Sequence, residues 1–183
     1  MLKGLMMDAP LSLIDVLDHG ARIHRKAEIV SVTVEGGVHR QSYGQTLERV
    51  AQLAHGLISL GVKPGDRVAT LAWNGYRHME LYYAIAGIGA VCHTINPRLP
   101  AEQMAYIVNH ADDSLLFFDT TFAPLVSGLR DQFPAHTRYV AMTDRAHMPD
   151  GQDLLCYEEL LEGRPTQYDW PHLDENTACA LCY

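Results

Sequence analysis

The sequence has 183 residues, of which 48% are hydrophobic and 20% charged, and its 14 basic and 22 acidic side chains give a formal net charge of −8. This composition is typical of a globular protein and excludes a disordered, collagen-like or coiled-coil chain. The acidic balance and the scattered basic residues argue against a nucleic-acid partner, because binding to phosphates needs clustered Lys and Arg.

The expected compartment follows from the cysteine content and from the absence of long apolar runs. Four cysteines are too few for a disulfide framework and indicate a reducing compartment, so we expect the cytoplasm. Met1–Asp8 has too short an apolar run for a signal-peptide core, so we expect no secretion signal. The longest uncharged stretch, Leu81–Pro97, contains glycines and polar residues, which predict a buried helix and a buried strand instead of a membrane span.

The first predicted elements are a helix and a hairpin. Apolar residues recur at helical spacing over Leu11–His24. Two runs rich in β-branched and aromatic residues, Ala27–Val34 and Val38–Tyr43, flank Glu35-Gly36-Gly37, which is typical of a hairpin turn because glycine adopts positive φ. The chain is therefore expected to begin with a helix and an antiparallel ribbon.

The pattern then changes to alternating helices and strands. A helix is predicted from Gly44 to Ile58, with Gly61 at its left-handed C-cap. After a turn at Pro64–Asp66, Val68–Trp73 reads as a strand covered on both faces. The later elements are helix Tyr76–Ile88, strand Val91–Ile95, a helix opened by Pro100 and ending at Ala111, strand Ser114–Phe118, helix Ala123–Gln132, strand Arg138–Met142, polar loop His147–Gln152, short helix Tyr157–Leu161 and a Pro-containing extended segment.

This alternation defines the fold class. Parallel strands need long crossover connections, which the predicted helices supply. We therefore expect an α/β fold, with an open, mostly parallel sheet flanked by helices and an N-terminal antiparallel hairpin. The final run, Thr177–Tyr183, is apolar and strand-like and has no polar tail, so the chain is expected to stop just before a functional loop.

Two short motifs have a structural and a functional interpretation. Gly87-x-Gly89 follows a helix and precedes a strand, the reverse of the order in a phosphate-binding loop, so close packing of helix on sheet is the favoured interpretation. Cys179-x-x-Cys182 has the spacing of a redox or zinc half-site. Residues three apart in a strand point to opposite faces, however, so we favour buried apolar cysteines.

Polar residues near the strands offer candidate functional groups. His93, in the middle of a predicted strand, is either a core imidazole with satisfied hydrogen bonds, which we favour, or a catalytic base. Asp112 and Asp113, between a helix and a strand, are expected to be solvated. Asn74, Arg77 and His78 belong to a polar cluster at a helix start, where capping and partial exposure also explain them.

The best internal candidate for a site is Asn96-Pro97-Arg98, because ligands of open α/β sheets gather at the carboxyl ends of strands. The alternative is structural, with Pro97 ending the strand and Arg98 forming a hydrogen bond or an ion pair. The candidates for a site or an interface are therefore Asn74, Arg77, His78, Asn96 and Arg98. Residue patterns alone predict no catalytic, cofactor-binding or metal-binding residue.

Four segments together resemble the N-terminal part of adenylate-forming acyl-CoA synthetases. They are Tyr43-Gly-Gln-Thr-Leu, Gly61-Val-Lys-Pro-Gly-Asp-Arg-Val, Ala69-Thr-Leu-Ala-Trp-Asn and Ala90-Val-Cys-His-Thr-Ile-Asn-Pro-Arg-Leu. The resemblance covers about Leu11 to Tyr183 and is nearest to medium- and long-chain fatty-acid CoA ligases, including the 3-methylmercaptopropionate CoA ligase branch. Asn74–Glu80 and His93–Leu99 carry motifs typical of that branch.

The resemblance implies that residues 1–183 are the N-terminal part of a large AMP-binding domain, truncated before its phosphate loop. The parent would activate a fatty acid or another small carboxylic acid with ATP and Mg²⁺ to an acyl-adenylate, and would transfer the acyl group to CoA. The family's catalytic residues lie beyond Tyr183, so this chain alone is expected to be inactive and to bind no cofactor. Some relatives form dimers through this part, which allows a homodimer here.

Two other functions remain open at this stage. One is a non-catalytic α/β module for protein interaction or dimerisation, suggested by the missing catalytic centre. The other is a nicotinamide- or flavin-binding domain, which the order of the glycines disfavours.

Overall fold

A computed structural model describes residues 4–5, 9–151 and 153–183. Much of Met1–Asp8, on which the prediction about a secretion signal rests, and Gln152 of the predicted polar loop lie outside the described residues. Among the described helices, none is long and apolar enough to cross a membrane.

The N-terminal elements agree with the predicted helix and ribbon. Helix α1 spans Leu13–Ile23 and begins at Ser12, whose hydroxyl accepts the backbone N–H of Asp15. Strands β1 (Glu28–Val32) and β2 (Val38–Ser42) pair antiparallel. Gly36 and Gly37 both have positive φ in the turn, which confirms the hairpin prediction.

Helix α2 spans Tyr43–Ser59 and has a capping box, in which Ser42 and Gln45 satisfy each other's backbone N–H groups. It ends before Gly61, which has a φ of 85° and is the left-handed residue that the sequence predicts there. Gly56 permits a close approach of α2 to the backbone of Leu160, because a Cβ built on it would be 2.8 Å from the carbonyl oxygen of Leu160.

A six-stranded sheet follows, and all its neighbouring strands are parallel. Its order is β7-β6-β5-β3-β4-β8. The strands are β3 (Arg67–Leu71), β4 (Val91–Thr94), β5 (Leu115–Phe118), β6 (Arg138–Ala141), β7 (Leu154–Cys156) and β8 (Ala180–Leu181). The helices between them are α3 (Tyr76–Gly87), α4 (Ala101–Ala111), α5 (Ala123–Leu129) and α6 (Tyr157–Leu161).

This architecture confirms the predicted fold class, with three local differences. The sequence predicts no strand at β7, which is only three residues long. The last strand is limited to Ala180–Leu181 instead of the whole run Thr177–Tyr183. A Cβ on Gly87 would lie 2.7 Å from the ring of Trp170, so Gly87 permits a close approach of the extended segment and not of the sheet.

Each face of the sheet buries its own core. Val68, Leu115 and Val140 pack with helices α1, α2, α3 and α6, whereas Ala69, Leu116 and Tyr139 pack with α4 and α5. Strand side chains alternate between the two faces, so the central strands contribute to both cores. This double coverage explains the apolar, weakly alternating strand sequences.

Candidate functional site

The carboxyl ends of the parallel strands meet at one edge of the sheet. Trp73 and Asn74 follow β3, Asn96 follows β4, Asp119 follows β5 and Thr143 follows β6. Ligands of open α/β sheets bind in the crevice outside this edge. We call this edge, as defined by these residues, the carboxyl edge, and a ligand-binding site is expected there.

His78 is a buried histidine whose two ring nitrogens both have partners. Its Nδ1 lies 3.2 Å from the carbonyl oxygen of Trp73, and its Nε2 lies 2.9 Å from the hydroxyl of Thr70. Since the carbonyl can only accept, Nδ1–H donates and Nε2 accepts the Thr70 hydroxyl in the neutral ring. Burial lowers the pKa of His78, which favours this neutral form. The imidazole therefore fixes the turn after β3 and has no nitrogen left for proton transfer.

Asn74 and His78 line an apolar groove between α1, β1 and α3. The groove has a volume of about 460 Å³, and Asn74 itself is exposed. Its walls are Leu13, Ile29, Ser31, Asn74, Gly75, His78, Met79, Tyr82 and Tyr83. Most of this lining is apolar or aromatic, with a few polar groups, as in many binding sites for small molecules.

Arg77 is turned away from that groove into an ion cluster. Its Nη1 donates to Glu35 Oε1 at 2.7 Å and to the carbonyl oxygen of Met142 at 3.0 Å, while its Nε donates to Glu158 Oε1 at 2.8 Å. Thr143 also donates to Glu35 Oε1, at 2.6 Å. Arg77 therefore ties the tip of the β1–β2 hairpin to the carboxyl edge.

The electrostatics of Glu35 follow from these contacts. Burial alone would raise the pKa of Glu35, but the hydrogen bonds from Thr143 and Arg77 outweigh it and hold the pKa below its ordinary value. The Glu35 side chain is only 10% exposed although it belongs to a turn. The hairpin tip is thus attached to the sheet through a buried ion pair.

A second polar cluster lies beneath the first and is centred on Glu80, whose side chain is fully buried. Arg49 donates to both of its oxygens, at 2.7 and 3.1 Å, and the Tyr157 hydroxyl donates to Oε2 at 2.7 Å. The amide of Gln41 donates to Oε1 at 2.9 Å. In the sequence, Glu80 stands out only as the last residue of the Asn74–Glu80 motif, and nothing in its spacing indicated partners from β2, α2 and α6.

Asp119 fixes the turn after β3 from the neighbouring strand. Its Oδ2 accepts the backbone N–H of Trp73 at 2.7 Å, and the residue is 7% exposed. Burial raises the pKa of Asp119 to about 6. The hydrogen bond from Trp73 N–H and the charge of Arg77 oppose this rise, and the charge of Glu35 adds a smaller increase.

Asn96 and Arg98 are exposed at the end of β4. The backbone N–H of Arg98 donates to Asn96 Oδ1 at 3.0 Å, which closes the turn around Pro97. The guanidinium of Arg98 takes part in no ion pair among the described residues. The structure therefore brings Asn74 and His78 together at one groove, places Arg77 in an ion cluster, and leaves Asn96 and Arg98 exposed at the carboxyl edge.

The structure corrects the prediction that Asp113 is solvated. Asp112 ends α4 in the left-handed conformation, with a φ of 56°, and this turns Asp113 inward. Asp113 is fully buried, and its Oδ2 accepts Nδ1–H of the equally buried His93 at 2.7 Å. Burial raises the pKa of Asp113, while the hydrogen bond and charge of His93 oppose that rise.

His93 is a core imidazole, as the favoured interpretation has it, but its hydrogen bonding is incomplete. Its Nε2 and the Oδ1 of Asp113 have no hydrogen-bond partner among the described residues. Only its position inside an apolar strand marked His93 in the sequence, and nothing there indicated Asp113 as its partner.

The prediction of buried cysteines at the Cys179-x-x-Cys182 motif is wrong. Both are exposed, because β8 lies at the edge of the sheet and pairs only with β4. In the described part of the chain, no three His, Cys, Asp or Glu side chains are placed so that they could hold a metal ion.

Comparisons with known proteins add an independent finding. A family model described as "AMP-binding enzyme" matches residues 17–183. The 3-methylmercaptopropionyl-CoA ligase of Ruegeria lacuscaerulensis is 47% identical over 182 residues, covering 98% of this chain and 34% of the relative. The long-chain-fatty-acid–CoA ligase of Thermus thermophilus is 42% identical over 178 residues, covering 97% and 32%.

The medium-chain-fatty-acid–CoA ligase of Ectopseudomonas oleovorans is 41% identical over 185 residues, covering 98% of this chain and 33% of the relative. Among solved structures, the anthranilate CoA ligase AuaEII in complex with anthranoyl-AMP has a TM-score of 0.81 at 18% identity, covering 98% and 33%. That likeness supports the fold alone. The chain spans about a third of the length of the curated relatives it matches.

Proposed function

The chain belongs to the AMP-binding enzyme family, and from that premise we propose that residues 1–183 form the N-terminal part of the large AMP-binding domain of an acyl-CoA ligase. The observation that carries this proposal is the identity of 41–47% to three CoA ligases over nearly the whole chain. The relatives named above are all ligases, so they give no support to a non-catalytic interaction module.

The reaction proposed for the whole protein has two steps. A carboxylate oxygen of the acid attacks the α-phosphorus of ATP, which forms an acyl-adenylate and releases pyrophosphate. The thiol of CoA, losing its proton, then attacks the acyl carbon, which forms a thioester and releases AMP. By the names of its relatives, the acid is a fatty acid or another small carboxylic acid.

The residues of this chain contribute one wall of the site in this proposal. Asn96 and Arg98 are exposed at the carboxyl edge, where a ligand of the sheet is expected, and Asn74 and His78 line the adjoining groove. Mg²⁺ is proposed to act with ATP in the whole protein. The resemblance to the family implies a phosphate loop beyond Tyr183, so we propose that most contacts of Mg²⁺ and of the phosphates lie outside this chain.

The compartment, partners and oligomeric state of the protein are also part of the proposal. The four cysteines are free, which supports a reducing compartment and thus the cytoplasm. The net charge of −8 supports the absence of a nucleic-acid partner. A homodimer is supported by the exposed valines of the hairpin, Val30, Val32 and Val38.

Acid-dependent exchange of pyrophosphate into ATP tests the proposed function. The whole protein should catalyse exchange with 3-methylmercaptopropionate or with a medium- or long-chain fatty acid, and should form the thioester when CoA is added. The 183-residue chain alone should catalyse neither reaction. Reactions without acid are the control. The proposal fails if the whole protein shows no exchange with any of these acids, and exchange by the isolated chain would contradict our placement of the phosphate contacts.

A further inference from the structure

The buried pair formed by His93 and Asp113 has no role in the wall described above. His93 lies in β4, and Asp113 lies between α4 and β5, so the pair links β4 to the segment that leads into β5, although β3 lies between these two strands in the sheet. Both side chains have no exposed surface, and a 2.7 Å hydrogen bond joins them. The Thr137 hydroxyl donates to the backbone oxygen of Asp113 at 2.7 Å and holds the acid in place.

The hydrogen bond determines which nitrogen of His93 can act further. A carboxylate can only accept, so Nδ1 of His93 carries a proton and Nε2 of the neutral ring has a lone pair. That Nε2 is buried and has no partner among the described residues. Buried polar atoms in folded proteins are nearly always paired, so a donor for Nε2 is expected in the complete structure.

The backbone that leaves β8 passes beside His93. In the parallel pairing of β4 with β8, His93 is the register partner of Leu181. The ring of Tyr183, two residues later, has its centroid 5.2 Å from that of His93. The Tyr183 hydroxyl shares a 2.6 Å hydrogen bond with Nδ1 of His110 on α4, which holds the tyrosine against this face.

We propose that His93, held by Asp113, is a positioning residue whose Nε2 accepts a hydrogen bond from the backbone that continues beyond Tyr183 in the whole ligase. This inference rests on the proposed function, because it concerns a segment that the longer relatives have. The carboxyl end of β8 borders the ligand crevice of an open sheet. By fixing the start of that segment, His93 would affect substrate binding without touching a substrate.

Three substitutions of His93 test the contributions of its Nδ1 and its Nε2 separately. His93→Gln places an amide oxygen near the position of Nε2 and loses the donor to Asp113. His93→Asn keeps an N–H group near the position of Nδ1 and has no atom near that of Nε2. His93→Phe has neither polar group. Cys92→Ala is the matched control, because Cys92 is the buried neighbour of His93 on the opposite face of the same strand.

Hydrogen exchange and kinetics on the whole protein give two independent readouts. We expect the amides that follow Tyr183 to lose protection in His93→Asn and His93→Phe and to keep it in His93→Gln and Cys92→Ala. We expect the KM for ATP to rise about tenfold in the first two variants and to stay within about twofold in the other two, the size of effect of one neutral hydrogen bond. Thermal unfolding of all four variants separates this pattern from general destabilisation.

The outcomes distinguish this inference from the proposed function. If His93→Asn retains protection and the normal KM, or if His93→Gln loses both as His93→Asn does, the positioning role of Nε2 is overturned. If the whole wild-type protein has no ligase activity, but the hydrogen exchange of the amides after Tyr183 changes in the four variants as expected, the proposed function fails and the positioning role stands.

Discussion

Arg98 is the exposed charge at the carboxyl edge, and its guanidinium takes part in no ion pair among the described residues. Guanidinium groups bind phosphates through charge-assisted hydrogen bonds, and both ATP and CoA carry phosphates. We therefore predict that Arg98→Ala in the whole protein raises the KM for ATP or for CoA about tenfold. Steady-state kinetics with each substrate varied in turn measures this.

The stability of the Arg98→Ala variant should equal that of the wild type, since the Arg98 guanidinium has no ion pair to lose among the described residues. Arg40→Ala is a suitable control, because Arg40 is an exposed arginine of the hairpin that pairs with Glu28. Its KM values should not change. Unchanged KM values for both substrates in Arg98→Ala would place Arg98 outside the site.

Glu80 is a fully buried carboxylate with three donors, and its loss should be costly. We predict that Glu80→Gln lowers the free energy of unfolding by about 3 kcal/mol, because Arg49 then loses the fully buried one of its two carboxylate partners and keeps only the partly exposed Glu158. Urea denaturation measures this value. Glu48→Gln, which breaks the exposed ion pair with Arg25, should cost less than about 1 kcal/mol. Equal losses of unfolding free energy in the two variants would show that the buried cluster contributes no more to stability than an exposed ion pair.

Asp119 should make stability depend on pH in a defined direction. Its pKa of about 6 in the folded state lies above the ordinary value of 3.8, because burial disfavours the carboxylate. Between these two values the folded chain binds more protons than the unfolded chain, so this group's contribution to stability falls as pH rises and is constant above the folded pKa. At neutral pH the loss amounts to roughly 3 kcal/mol.

The variant Asp119→Asn isolates this effect, because an amide oxygen can still accept the N–H of Trp73 and does not titrate. Between about pH 4 and about pH 7, the unfolding free energy of Asp119→Asn should rise relative to that of the wild type by roughly 2 kcal/mol. Parallel curves for the two proteins would contradict the raised pKa.

At the scale of elements, the β1–β2 hairpin is attached at its tip by Glu35. We predict that Glu35→Ala speeds hydrogen exchange at the hairpin tip by at least about tenfold, because local opening no longer breaks the contacts with Arg77 and Thr143. Mass spectrometry or NMR on the hairpin amides measures the change. Glu28→Ala removes an exposed ion pair of the same hairpin and should have little effect. Faster exchange in both variants alike would indicate that Glu35 has no particular role.

Most helices and strands could be predicted because their turns, caps and apolar patterns depend on residues close together in the sequence. The glycine pair of the hairpin, the cap at Gly61 and the apolar strands are each visible within a few residues. Strand β7 could not be predicted, since three residues form a strand only because β6 offers a free edge. The pairing of His93 with Asp113 has the same origin, because it depends on which strand lies beside which. The candidate site was therefore predictable as a location, the carboxyl edge, and not as a set of contacts.

At the scale of the whole molecule, the two cores share the central strands, so they should unfold together. Two tryptophans report on them separately: Trp73 packs on Phe122 of the α5 face, with ring centroids 5.1 Å apart, and Trp170 packs on the α2 and α3 face. Because β3, β5 and β6 supply side chains to both faces, loss of one core removes the support of the other. We predict that Trp73→Phe and Trp170→Phe in the 183-residue chain, each leaving one of its two tryptophans, give urea transitions by fluorescence that coincide with the transition followed by far-ultraviolet circular dichroism of the same variant. Separate transitions for the two probes would mean that each face of the sheet folds as its own unit.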